Sequence, residues 1–219
     1  MRNMVRFLLS CCCFVLPMSS AHALTLISPA PCSEVDLDGP GGILDQLYGL
    51  ENLTRVDDAR DQFWVDSGAV ISIDAKARFA GFSFAFGYST GTSGENLFQV
   101  SGHGFLASGS GFLHSPDSPF QWELTPSGAP VWGTAPASNT DGLDHMVTYF
   151  ITSGASAGKY VIAWEDLSNL GDKDYNDLVL EITGARPYAV VPEPGTLALL
   201  TMGLLGLLGT GRVRKYLRK

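Results

Sequence analysis

Cysteine is nearly absent from this sequence: there are four in 219 residues, and Cys11, Cys12 and Cys13 sit together in the first apolar run, leaving Cys32 alone. Once that run is removed, an intrachain disulfide is excluded. With no histidine or basic residue near it in sequence, Cys32 reads as an idle thiol rather than a nucleophile or an intermolecular bridge. Histidine is scarce too. His103, His114 and His145 are scattered, with no H-x-x-x-H or C-x-x-C spacing, which excludes the usual zinc sites. Positive charge is missing from the middle: all 22 Asp and Glu lie between Glu34 and Glu193, against seven of the 14 Lys and Arg, a net of −15. Such a segment repels phosphate backbones, so nucleic acid is excluded as a partner and cations or neutral surfaces are favoured. Only 16% of residues are charged and 45% are hydrophobic, which excludes a disordered acidic tail. No long internal repeat is present, and the length fits one domain or two small ones.

The two ends are basic and apolar. Arg2 and Arg6 precede the run Phe7 to Met18, and Ala21 and Ala23 occupy positions −3 and −1 of a cleavage site, so residues 1–23 read as a signal peptide for signal peptidase. The run is too short to cross roughly 30 Å of hydrocarbon as an anchor. At the other end, Val191-Pro192-Glu193-Pro194 leads into an uncharged stretch, 195–211, and a basic tail, 212–219. The stretch reaches about 25 Å as a helix, the short end of what spans a bilayer, and its tail should stay cytoplasmic. A permanent single-pass anchor has this layout, and so has a cleavable sorting signal. The order Pro-Glu-Pro, glycine-rich apolar span, Arg-rich terminus resembles the PEP-CTERM sorting signal of Gram-negative, exopolysaccharide-producing bacteria. That resemblance implies an exosortase as partner and processing near Val191, Pro192, Glu193 and Pro194. The chain would be held in the inner membrane and then reach the cell surface or extracellular matrix.

Between the ends, residues 24–190 form a secreted domain long enough to bury roughly 70% of its unfolded surface. Ile43, Leu44, Leu47 and Tyr48 predict one short amphipathic helix over Gly42 to Leu50. The period then changes to two: Phe82, Phe84, Phe86 and Tyr88 alternate with small residues, as do Ile71 and Ile73 with Ser72 and Asp74. Further short runs at Leu97 to Val100, Phe120 to Leu124, His145 to Thr152, Lys159 to Trp164 and Leu178 to Ile182 are bounded by Gly, Ser, Pro, Asn and Asp. The pattern predicts an all-β fold, an antiparallel, jelly-roll-like β-sandwich.

Two of these runs bracket the most informative loop. From Glu165 to Asp177 it carries Glu165, Asp166, Asp172, Asp174 and Asp177 with the amide of Asn176. Crowding these groups costs free energy unless a cation or solvent compensates, and Ca²⁺, which takes six to eight oxygen ligands, suits them. Asp172, Asp174 and Asn176 match positions 1, 3 and 5 of an EF-hand. The sixth position, however, is Asp177 rather than Gly and the twelfth is Thr183 rather than Glu, so it is not one. An Asx-rich turn with solvated charge explains the residue types equally well. The run Trp164-Glu165-Asp166-Leu167 through Gly171 to Val179, with Asn139 to Tyr149 upstream, resembles the family known as domain of unknown function 4114, the clear likeness covering residues 141–183. The resemblance implies a secreted bacterial protein and a Ca²⁺-binding acidic loop, and it carries no reaction with it. Asp172, Asp174, Asn176 and Asp177 are then the leading ligands, with Glu165 and Asp166 in support.

Enzyme motifs are weak. Gly154-Ala155-Ser156-Ala157-Gly158 spells G-x-S-x-G, but both flanks are strand-like, which predicts a hairpin loop rather than a nucleophile elbow. His145 reads as a strand-start residue bonding Asp144, and a glycosidase pair drawn from Glu165, Asp166 or Glu123 is expected by chance in so acidic a chain. The expectation is a non-enzymatic surface or matrix protein. The alternative is a lectin-like module on exopolysaccharide, with Trp132, in a proline-flanked loop, as the exposed ring and Trp164 buried.

Overall fold

A computed structural model describes residues 26–31, 34–91, 93–114, 116 and 119–188. The signal peptide with Ala21 and Ala23, Cys32, the sorting motif, the apolar span 195–211 and the basic tail lie outside the described residues.

The predicted helix forms as α1 (Ile43–Tyr48) and ends where Gly49 turns the chain at φ 77°, a conformation glycine adopts without a Cβ penalty. Twelve strands follow among the described residues, every pairing antiparallel. Six build one sheet: β1 (Leu53–Arg55), β3 (Ile71–Ala77), β6 (Ser110–Leu113), β9 (Met146–Ile151), β10 (Tyr160–Trp164) and β11 (Leu178–Thr183), in the order β1-β9-β10-β11-β3-β6. Four build the other: β4 (Phe84–Ser89), β5 (Gly94–Val100), β7 (Gln121–Pro126) and β8 (Trp132–Gly133), in the order β5-β4-β7-β8. A small ribbon pairs β2 (Trp64–Asp66) with β12 (Ala185–Pro187). Strands β9, β10 and β11 follow one another as a meander, so the likeness to a jelly roll is confined to its two packed antiparallel sheets.

The sequence of β10 and β11 explains why the six-stranded sheet sits in the middle. An antiparallel strand with one wet face alternates apolar and polar residues, whereas a strand covered on both faces reads as a continuous apolar run. Tyr160 to Trp164 and Leu178 to Ile182 are such runs, interrupted at Glu181. Ile162, Trp164, Leu178, Leu180 and Ile182 pack against Phe84, Phe86, Trp122, Leu124 and Trp132 of the smaller sheet. On the opposite face, Val147, Tyr149, Val161, Ala163 and Val179 are covered by Leu37, Ile43 and Leu44, which belong to the segment before β1 and to α1. Three layers result.

All four tryptophans, Trp64, Trp122, Trp132 and Trp164, are fully buried. Burial of Trp164 agrees with the sequence reading; burial of Trp132 corrects it. Its proline-flanked surroundings suggested a loop tip, but the residue enters the short strand β8 and stacks flat on His145, ring centroids 3.8 Å apart. The G-x-S-x-G sequence lies in the turn between β9 and β10, with strands on both sides and no helix following.

Candidate metal centre

The meander brings the acidic loop to one end of the β10–β11 pair. In register, Trp164 faces Leu178, so Glu165 leaves the sheet where Asp177 enters it. Glu165, Asp166, Asp174 and Asn176 are buried, Asp177 is half-buried and Asp172 is exposed. One carboxylate oxygen from each of Glu165, Asp166 and Asp177 lies within 4.8 Å of the other two, and the same holds for Glu165, Asp172 and Asp174. Five of the six predicted residues therefore converge, with Glu165 common to both groups. Asn176 lines the same cavity as four of these acids, and its side-chain N–H donates to the Val35 carbonyl at 3.0 Å, which ties the loop to the segment before α1.

The backbone is shaped to hold this arrangement. Asn169, Leu170, Lys173 and Tyr175, which are all the non-glycine residues with positive φ among those described, fall inside this one loop. Left-handed backbone is costly for a leucine or tyrosine and persists where surrounding contacts over-determine it. Lys173 is held by its carbonyl, which accepts the Ala30 N–H at 2.8 Å, and Tyr175 by its buried hydroxyl, which donates to the Asp144 carbonyl at 2.8 Å. Gly171, at φ 33°, is required for space as well: a Cβ there would come within 2.9 Å of Glu165 Oε1.

Behind the loop stands a brace that residue spacing did not disclose. The His145 ring bonds the Glu165 carbonyl through Nδ1 at 2.8 Å and Asp141 Oδ2 through Nε2 at 3.0 Å. Asp141, not the expected Asp144, is thus the partner of His145. Asp141 also accepts the N–H groups of Leu143 and Asn169, and despite some burial these bonds hold its carboxyl below the usual range. Trp132 Nε1 donates to the Asp166 carbonyl at 2.7 Å. Trp132 and His145 therefore fix the main chain of Glu165 and Asp166 while their carboxylates point away into the cluster.

The electrostatics are those of acids short of counter-charge: Arg78 acts on Asp166, from beyond salt-bridge distance. Burial, and then the charges of Asp172, Asp174 and Asp166, push Glu165 up to about 7 against the one backbone N–H it accepts, from Leu167. Burial and repulsion from neighbouring acids likewise raise Asp166 and Asp177. Asp177 Oδ2 accepts the Asp166 N–H at 2.7 Å, but Glu165 Oε2 and Asp166 Oδ2 are buried with no hydrogen-bond partner. Among the described residues, no Lys or Arg lies within salt-bridge distance of Glu165, Asp166 or Asp177. Asp166, Asp172, Asp174 and Asp177 line a cavity of about 270 Å³ that Glu34, Phe79 and Phe82 complete from other elements, with Glu165 buried behind it.

Residues 110–185 match the family model of a domain of unknown function (DUF4114). The DUF4114 match starts at β6, earlier than the resemblance over 141–183, and takes in the whole acidic loop with Asp141, His145 and Trp132. It covers roughly a third of the chain and leaves out Glu34, α1 and the first strands. Residues 190–215 match the PEP-CTERM protein-sorting motif, the recognition signal for exosortase, which implies an exported chain held in the membrane before processing. No curated protein and no solved structure matches this chain.

Proposed function

We propose that the chain is a non-catalytic surface or matrix protein, released from the inner membrane by exosortase, whose DUF4114 loop binds Ca²⁺ through Glu165, Asp166, Asp172, Asp174 and Asp177. The observation that carries the metal reading is the pair of buried oxygens, Glu165 Oε2 and Asp166 Oδ2, that accept no hydrogen bond, in two groups of three carboxylates that meet at Glu165. A solvated Asx turn, the competing reading of the sequence, would leave its charges in water; here the two acids of the first half of the loop are buried. A divalent cation supplies the missing counter-charge, and an all-oxygen, carboxylate-rich set of this size suits Ca²⁺ better than the tighter octahedron of Mg²⁺. Asn176 lines the same cavity, and its N–H bond to Val35 fixes the amide while its oxygen stays among the proposed ligands.

Binding there would join the end of β10 to the start of β11 and stiffen the loop that Asn176 ties to the segment before α1, two of the three layers. That is a stabilising role suited to a domain with one cysteine in its secreted part and no disulfide. Two observations support the absence of catalysis: G-x-S-x-G forms a hairpin turn, and His145 is buried with both ring nitrogens engaged. With every tryptophan buried, a sugar-stacking platform loses the ring that had suggested it.

Thermal unfolding of the secreted chain in EDTA, then with Ca²⁺ and separately Mg²⁺, tests the metal reading. At 100 times the dissociation constant, Ca²⁺ adds about 2.7 kcal/mol, several degrees for a domain of this size. The rise disappears in the double variant Asp172→Asn, Asp174→Asn; an equal rise in that variant sinks the assignment. Intact mass of surface-extracted protein should show a form lacking residues 195–219, and release of reducing ends from the cell's own polysaccharide would overturn the non-catalytic reading.

A further inference from the structure

The connection between β1 and β2 and the turn before β9 bring together three acids that the DUF4114 loop does not use. Asp58, Asp61 and Asp144 each place one carboxylate oxygen within 4.8 Å of the other two, and all three are buried, Asp61 completely. Asp58 is fully engaged: Oδ1 takes the Arg55 guanidinium and Oδ2 the Ile27 N–H at 2.6 Å. Asp144 is half engaged, with Oδ1 accepting the Met146 N–H at 3.2 Å and Oδ2 accepting nothing. Neither oxygen of Asp61 has a hydrogen-bond partner; the neighbouring Thr148 hydroxyl donates to Met146 Sδ at 3.5 Å.

Three carboxylates against one guanidinium leave two negative charges in a dry space. Such a group persists only with a cation, or with protons shared between the acids. Burial pushes Asp61 up to about 7 despite the nearby Thr148 hydroxyl, and burial with the Asp61 charge raises Asp144 too, which says that counter-charge is wanted without saying which kind. Geometry favours the cation. One oxygen of each acid lies within 4.8 Å of the other two, the spacing of ligands about one ion, and Asp61 brings two buried oxygens that accept no N–H or hydroxyl. The donors are all oxygen, with no sulfur or imidazole, so the ion is hard.

We propose that Asp58, Asp61 and Asp144 form a second site for a hard divalent cation of the Ca²⁺ or Mg²⁺ kind, separate from the acidic loop. Its place in the fold gives it a purpose. The Asp61 carbonyl accepts Trp64 Nε1 at 2.7 Å, so an ion here fixes the connection that seats a fully buried indole. Tyr175 of the acidic loop bonds the Asp144 carbonyl, so the two sites share one rigid link. Only Asp144 lies within the DUF4114 match, and the site exists because the preceding part of the chain folds over it.

Isothermal titration of the chelator-stripped secreted chain with Ca²⁺, and separately with Mg²⁺, reads the stoichiometry. Two equivalents are expected in the wild type, one in Asp172→Asn with Asp174→Asn, and one in Asp61→Asn. A wild type that binds a single equivalent, kept in Asp61→Asn and lost in the loop variant, overturns the second site while sparing the loop. The converse pattern overturns the loop and spares this site. Tb³⁺ luminescence lifetimes in H₂O and D₂O need no variant: sites of three and of five carboxylates leave an ion different numbers of waters, so two lifetimes are expected. A single, hydrated lifetime also overturns the proposal, and metal binding unchanged in Asp61→Asn would assign the trio to a shared proton instead.

Discussion

Two buried glutamates toward opposite ends of the same pair of strands meet opposite fates. Glu181, on β11 toward the β9–β10 turn, is 3% exposed, and Glu165, at the other end of β10, is fully buried. Glu181 accepts Lys159 Nζ at 2.7 Å and the Ser156 hydroxyl at 2.8 Å, with Lys76 at 3.7 Å. Those partners outweigh desolvation and hold its carboxyl below the usual range. Glu165 accepts one backbone N–H, keeps Oε2 unpartnered and is pushed up to about 7. The chain thus supplies two lysines to a buried acid at one end of the hairpin and more acids at the other. Burial alone does not decide what a carboxylate does; the charges packed around it do. The end where Lys173, exposed in the same loop, forms no salt bridge among the described residues is the end that asks for an ion.

The contrast should fail most severely when its brace is removed. Trp132→Ala deletes a buried ring stacked on His145 together with the bond that holds the Asp166 carbonyl, and should cost about 3–5 kcal/mol in urea unfolding. It should also reduce the Ca²⁺-dependent rise in melting temperature, whereas truncation of the exposed Leu106 leaves that rise unchanged. Next comes the neutralised end: Glu181→Gln loses charge-assisted bonds to Lys159 and should cost about 1–2 kcal/mol, equally with and without Ca²⁺.

Glu165→Gln separates the two ends through its sign. In EDTA, removing one of several crowded charges is expected to be neutral or to stabilise by about 1 kcal/mol; with Ca²⁺ it removes a ligand and destabilises. Destabilisation in both conditions, as for Glu181→Gln, would erase the distinction between the two ends. The smallest effect is one of pH. Because the folded carboxyl of Glu181 lies below its unfolded value, its stabilisation is present above the ordinary glutamate range and is lost as pH falls through the folded value. Melts from pH 6 down to pH 3 should therefore show a steeper acid-side loss in the wild type than in Glu181→Gln.

What could be read along the chain was what depends on near neighbours. Strands β4, β10 and β11 announced themselves through period two or unbroken apolar runs, and the acidic loop through its composition. The 2- to 4-residue strands β1, β2, β6, β8 and β12 did not, because so short a segment has no period and takes its strand conformation from the sheet it joins. Position relative to the strand pattern was enough to bury Trp164. Trp132 was misread because its burial comes from His145 stacking against it and from Asp166, 34 residues on, accepting its N–H.

Composition and local order were enough to establish an acidic all-β domain, a loop with more carboxylates than cations, and a sorting signal. Which acids are satisfied was settled only by the folded arrangement. Glu181 finds Lys76 across the sheet, Glu165 finds no cation, and Asp58 and Asp61 meet Asp144 from more than 80 residues away. The reason is physical: a carboxylate's energy depends on the groups within a few ångströms of it. In a sheet, those groups are set by strand register and by which layer folds on top.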